Sequence, residues 1–196
     1  MDLCLFQGTF NPIHNAHLRA AGFVVKNGYA DNVLFIPAYE PPHKAVDADL
    51  AVHRFNMVKL AVDDIPEFEV SDIEYVRKGK SYTYLTVCEL KKKFNISNKI
   101  KFIIGTDAFR KIESWYEADK LKNLVHFLIL YRDKDFKKDE FDCLSLKGYE
   151  FEFLPLDFED ISSTEIRLDI RRGIMPEHKL PEKVEEYIVK NELYRD

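Results

Sequence analysis

The residues best suited to chemistry lie near the start of the chain, in Gly8-Thr9-Phe10-Asn11-Pro12-Ile13-His14-Asn15-Ala16-His17. Gly8 follows the apolar run Leu3-Cys4-Leu5-Phe6 and has no side chain to hold a ligand away from the backbone. Pro12 ends regular structure, and a helix is expected to open next, capped by His14 or Asn15. The first N–H groups of a helix lack intrahelical partners, and the helix dipole there favours an anion. His14 and His17 are three residues apart, so they share one helix face close to that start. A turn, a helix start and two imidazole donors together make a cradle for phosphate. The same residues admit plainer readings. H-x-x-H is half of a zinc site, although no third ligand is adjacent. A histidine also serves as a hydrogen-bonded core residue, and Gly8 can serve the turn alone.

Five further groups bear on chemistry. Gly105-Thr106-Asp107 ends the apolar run Phe102-Ile103-Ile104, and Asp107 there is a hydrogen-bond acceptor for ribose hydroxyls, a magnesium contact or a helix cap. Ser81-Tyr82-Thr83-Tyr84-Leu85-Thr86 opens a helix whose N-terminus suits a carboxylate, with Ser81 as a simple cap in the plainer reading. Ser162-Ser163-Thr164-Glu165 has capping-box spacing, with Ser162 as N-cap and Glu165 three residues on. Ser163, Thr164 and the first-turn amides there can bind phosphate oxygens, and Arg167 adds charge one turn later. Lys44, in Pro41-Pro42-His43-Lys44, either neutralises a phosphate or is a solvated lysine. Trp115, the sole tryptophan, is a core residue or a stacking surface.

These residues need a scaffold. The runs Leu3–Phe6, Val33–Ile36, Phe102–Ile104 and Phe127–Leu130 lack the alternation of half-exposed strands and fit strands buried on both faces. Phe151-Glu152-Phe153-Leu154 is a weaker fifth run. Helical stretches separate them: 17–26 with Leu18, Ala21 and Val25 on one face, 50–62 with Met57, Leu60 and Ala61, and 82–93 with Leu85, Cys88 and Glu89. This alternation predicts an α/β fold, a doubly wound parallel sheet flanked by helices. In such sheets ligands bind beyond the carboxyl ends of the strands. The C-terminal segment, 161–196, is expected to be helical, stopping near Gly173 and restarting at Pro181 with Val184, Tyr187 and Ile188 as its apolar stripe. The charged stretch 132–140 reads as a solvated loop.

With 196 residues, the chain suits one domain, a core over 1–160 plus C-terminal helices over 161–196. The 34 acidic and 29 basic residues give a net charge of −5, which opposes a broad nucleic-acid-binding surface but not a locally positive pocket for small anions. Cys4, Cys88 and Cys143 form no C-x-x-C pair and read as reduced thiols of a cytoplasmic protein. No window approaches the ~18 apolar residues of a membrane span.

Residues 8–17 resemble the first motif of the nucleotidyltransferase superfamily, G-[GS]-[TS]-F-[DN]-P-x-H-x-G-H. Two positions depart from it. Gln7 stands at the usual first glycine, and Ala16 replaces the glycine of H-x-G-H, where adenine packs in that family. Ser81-Tyr82-Thr83-x-x-Thr86, Gly105-x-Asp107…Trp115 and Ile161-Ser162-Ser163-Thr164-x-Ile166-Arg167 are similar to motifs of the bacterial nicotinate-nucleotide adenylyltransferases. The resemblance implies transfer of AMP from ATP to nicotinate mononucleotide, with Mg2+ carried in by ATP and no separate metal site. It implies catalytic roles for His14, His17 and Arg167. It implies ATP contacts at Gly8, Thr9, Phe10, Gly105, Asp107, Ser163 and Thr164. Mononucleotide contacts would fall on Lys44, Thr83, Asp107, Trp115 and Tyr116. Partners would be the small substrates, with no nucleic acid and no membrane, and a homo-oligomer stays open. Transfer to nicotinamide mononucleotide or phosphopantetheine, a nucleotide-binding regulator without turnover, and a zinc hydrolase are the competing readings.

Overall fold

The computed structural model describes residues 2–42, 49–131, 137–156 and 161–195. The apolar runs all become strands, and every strand pairs in parallel with its neighbours. In chain order the elements are β1 (Leu3–Gly8), α1 (Asn15–Lys26), β2 (Asn32–Pro37), α2 (Leu50–Val62), β3 (Phe68–Val70), α3 (Ile73–Arg77), α4 (Thr83–Lys93), β4 (Ile100–Gly105) and α5 (Thr106–Phe109). There follow α6 (Ala118–Leu121), β5 (Val125–Leu130), α7 (Asp142–Leu146), β6 (Glu150–Phe153), α8 (Ser163–Arg171) and α9 (Glu182–Lys190). The sheet order is β3-β2-β1-β4-β5-β6. Connections run outward one way from β1 and the other way from β4, so the order reverses between these two strands. The crevice at their carboxyl ends is where such sheets bind ligands.

Successive residues on a strand face opposite sides, and here both sides are covered. Cys4 and Phe6 of β1 join Val33, Phe35 and Ile103 in one cluster with Ala20 and Val24 of α1, Met57 and Val58 of α2, Ile166 and Ile170 of α8, and Val184 and Ile188 of α9. Leu5 joins Leu34, Ile36, Phe102, Ile104 and Phe127 in a second cluster, with Val87 and Leu90 of α4 and Phe109 of α5. The C-terminal helices therefore share the first cluster with the strands rather than forming a core of their own.

Several sequence expectations shift. β3 has only three residues, too few to stand out by pattern. α1 buries Ala16, Ala20, Ala21 and Val24, while Leu18 and Val25 are only partly covered. α4 buries Thr83, Thr86, Val87 and Leu90 rather than Leu85, Cys88 and Glu89, because the walls it meets include polar partners that a hydrophobicity pattern does not show. α8 ends before Gly173, whose φ is +76°, and Pro181 is the N-cap of α9 rather than its first helical residue. Of the stretch 132–140, the described part enters a short 3-10 turn, Lys138–Phe141, that buries Phe141.

Candidate active site

A cavity of about 600 Å3 opens at the carboxyl ends of β1 and β4. Gly8, Thr9, Thr83, Gly105, Asp107, Trp115 and Tyr116 all line it, although they are drawn from distant segments. Trp115 is half-buried and meets Phe102 edge to face, with ring centroids 6.4 Å apart. Tyr116 is exposed and stacks on Tyr82 at 4.5 Å. Thr83 begins α4; the Thr86 N–H closes on Tyr82 O at 3.2 Å, so the three N–H groups before it lie outside the helix ladder. Asp107 is exposed and pairs with Arg110 at 3.2 Å. It sits within the first turn of α5, whose N-cap is Gly105. Lys44 lies outside the described residues.

A second group surrounds the turn after β1. Arg167 donates to Asn11 O at 2.8 Å and Ser163 O at 3.1 Å, and its other terminal nitrogen lies 3.4 Å from Thr164 Oγ1. Ser163 Oγ donates to Pro12 O at 3.0 Å. The Tyr194 hydroxyl donates to Asn11 Oδ1 at 2.6 Å, and burial pushes its pKa up. The start of α8 is thereby fastened to the residues just ahead of His14. The capping box is not formed: Ser162 occupies the N-cap position but its side chain makes no cap bond. The neighbouring Ser163 side chain is spent on Pro12 instead.

The two histidines stack, with ring centroids 3.6 Å apart and planes 27° from parallel. His14 is buried, while His17 is partly accessible. The His14 N–H donates to His17 Nδ1 at 3.2 Å, so the neutral His17 ring carries its proton on Nε2, as a donor. Phe10 is buried and holds the other side of that ring, edge to face at 5.0 Å. Its φ of +46° turns the chain so that it can do so. This changes the reading of Gly8. A β-carbon there would lie 3.0 Å from the Phe10 ring, so the missing side chain makes room for Phe10 as well as leaving backbone at the cavity. The start of α1 is likewise less open than a bare helix end. Asn15 N donates to Lys179 O at 2.9 Å and His17 N to His14 O at 2.9 Å, so two early amides are already engaged. Ala16 is 1 % exposed, and its methyl group packs into the core.

Two buried charged residues escaped the sequence reading. Arg54, fully buried on α2, donates to Thr9 O (2.8 Å), Ala38 O (2.6 Å) and Tyr39 O (3.0 Å). Burial lowers its pKa from the usual guanidinium value, opposed by Tyr75, Tyr194 and Glu74. Arg54 and Lys59 are both charges within 50–62, and nothing in the sequence pattern singles out Arg54. Glu74, on the five-residue α3, is also buried, and α3 is too short to have shown a pattern. Among the described residues, no group of three or more His, Cys, Asp or Glu could hold a metal ion. No helix among these residues is long and apolar enough to cross a membrane.

Comparison with known proteins agrees with this architecture. Residues 5–169 match the family described as cytidylyltransferase-like. A protein of Caldicellulosiruptor saccharolyticus named probable nicotinate-nucleotide adenylyltransferase is 36 % identical over 199 residues, covering all of both chains. A Clostridium botulinum protein of the same name is 38 % identical over 201 residues, again over both full lengths. The structure of Plasmodium falciparum nicotinic acid mononucleotide adenylyltransferase complexed with NaAD superposes with a TM-score of 0.79 at 21 % identity, covering 98 % of this chain and 97 % of that one. The chain belongs to the cytidylyltransferase-like family and, within it, to the nicotinate-nucleotide adenylyltransferases.

Proposed function

We propose that the protein transfers AMP from ATP to nicotinate mononucleotide, releasing pyrophosphate and forming the deamido dinucleotide. The observation that carries this reading is the cavity at the carboxyl ends of β1 and β4. Trp115 and the start of α4 line it, and the turn that Arg167 of α8 fastens follows directly from β1 and leads to His17 on α1. Its volume suits one mononucleotide. The pyridine ring stacks against Trp115, and its carboxylate meets the unpaired amides and dipole at the start of α4, near Thr83. Tyr116 closes that end, Lys44 balances the 5′-phosphate, and Asp107 accepts from ribose hydroxyls. ATP takes the other half. Gly8, Thr9, Phe10 and Gly105 shape its floor, and Ser163 and Thr164 at the start of α8 hold the triphosphate.

The acceptor phosphate is its own nucleophile, since the second pKa of a phosphate monoester is about 6 and no general base is needed at neutral pH. One of its oxygens forms a bond to the α-phosphorus of ATP. The bond from that phosphorus to the bridging oxygen breaks, and pyrophosphate leaves with the electron pair. His17, through Nε2–H, and Arg167 supply charge to the phosphates as they reorganise, with His14 stacked behind His17. Magnesium arriving with ATP would neutralise phosphate charge; among the described residues Asp107 is the one carboxylate lining the cavity, in keeping with an ion held mainly by phosphates and water. A cytoplasmic location, one domain spanning 1–196 with its helical tail at 161–196, and small-molecule partners without nucleic acid belong to the same reading.

The test is pyrophosphate release with ATP and Mg2+, comparing nicotinate mononucleotide, its amide and phosphopantetheine as acceptors. Fastest release with the acid is expected. Release with none of them refutes the proposal.

A further inference from the structure

We propose that Glu74 is a positioning residue that builds the acceptor half of the active site, and that Gln7 is part of the same device. This rests on the function proposed above and deepens it. Glu74 touches neither reacting group. Its carboxylate is 1 % exposed, and three different walls of the cavity converge on it. Gln7, at the end of β1, donates from Nε2 to Oε1 at 2.6 Å. Thr86, in the first turns of α4, donates from Oγ1 to the same oxygen at 2.5 Å. The Tyr39 N–H, from the segment after β2, donates to Oε2 at 3.2 Å. Arg77 supplies the countercharge at 3.5 Å and also donates to Thr86 Oγ1 at 3.0 Å.

Each tied segment contributes directly to the cavity. Gln7 lines it; Tyr39 precedes Pro41 and Pro42, which line it; Thr86 lies one turn beyond Thr83, which lines it. Two bonds complete the frame: the Ser81 N–H donates to Glu40 O at 2.9 Å, and the Glu40 N–H donates to the Ser81 side-chain Oγ at 3.0 Å. A buried carboxylate is costly unless its lone pairs are filled, and one with three donors and an arginine fixes the spacing of whatever holds those donors. The Tyr39 peptide is gripped from both ends, its N–H by Glu74 and its carbonyl by Arg54. None of these bonds reaches the group formed by Asn11, Pro12, Ser163 and Arg167. Glu74 therefore acts directly on the acceptor half, its link toward the ATP half running only indirectly through Arg54 and Thr9 O. The pairing also accounts for Gln7, because a glycine there could not donate to Glu74.

The full-length chain is first shown to turn over nicotinate mononucleotide; if it does not, the proposed function falls, and this inference with it. Glu74→Gln removes the charge and turns one acceptor oxygen into a donor while keeping the shape. It is expected to raise the KM for nicotinate mononucleotide about tenfold or more, with the KM for ATP within about twofold of the parent. Quenching of Trp115 fluorescence by nicotinate mononucleotide alone reads the same change without turnover and is expected to give a matching rise in Kd. Thr86→Val should raise the mononucleotide KM in the same direction, and Thr86→Ser should restore it. If Glu74→Gln fails to fold, by circular dichroism, the Thr86 pair decides. An unchanged mononucleotide KM, or equal rises for both substrates, overturns the inference while leaving the proposed function intact.

Discussion

Replacing Arg54 with methionine probes the frame of the site. Methionine fills much of the same volume but donates no hydrogen bond, so the carbonyls of Thr9, Ala38 and Tyr39 lose their partner. Each buried acceptor left unpaired costs about 1–3 kcal/mol. Relief of burying a guanidinium offsets part of this, and the net loss on removing one side of a buried charged contact is about 3–5 kcal/mol. With a urea dependence of about 2 kcal/mol per molar, the unfolding midpoint should fall by about 2 M at unchanged slope. Urea denaturation followed by circular dichroism measures this directly. Arg54→Lys keeps the charge but loses the planar fork, so it should recover less than half of the difference. A midpoint shift below about 0.5 M for Arg54→Met would show that these carbonyls do not depend on Arg54.

Other expectations concern single groups. His17→Ala should lower kcat by about a hundredfold to a thousandfold, the usual effect of removing one donor to transition-state charge, with little change in mononucleotide affinity; near-normal turnover in steady-state assays counts against it. Trp115→Ala should chiefly raise the mononucleotide KM, about tenfold or more for a lost stacking contact of about 1–3 kcal/mol, and an unchanged KM removes Trp115 from the site. Burial pushes the Tyr194 phenol above its unfolded value of about 10, so its stabilisation is complete below that pH and is lost as pH rises beyond it. Tyr194→Phe should therefore give a shallower loss of stability above pH 10, as read by thermal melts across that range.

The fold was legible because buried parallel strands appear as uninterrupted apolar runs, and β1, β2, β4 and β5 are of that kind. β3 escaped because three residues cannot show a pattern. The cavity residues were legible where a strand end or helix start coincided with a recognisable motif, as at Gly105-Thr106-Asp107 and Thr83. Arg54 and Glu74 were not, because their partners are mostly backbone groups or residues such as Gln7 that come close only in three dimensions. The same blindness affected Ser162, whose spacing matched a capping box although Ser163 has the structural bond. Local spacing offers an interaction, and tertiary contacts decide which neighbour makes it. Gly8 and Ala16 carry that lesson too: sequence alone shows neither the packing of Phe10 over Gly8 nor the burial of Ala16 in the core.

The bonds that fasten the first turn reach almost the whole length of the chain. Arg167 is 156 residues from Asn11, and Tyr194 is 183 residues from it. Contacts so distant in sequence carry a large loop-closure cost unless nearer ones have already closed the intervening chain. During synthesis the histidine turn emerges well before Arg167 and Tyr194, the residues that clasp it. A nascent chain thus carries the reactive segment long before it can hold it in place.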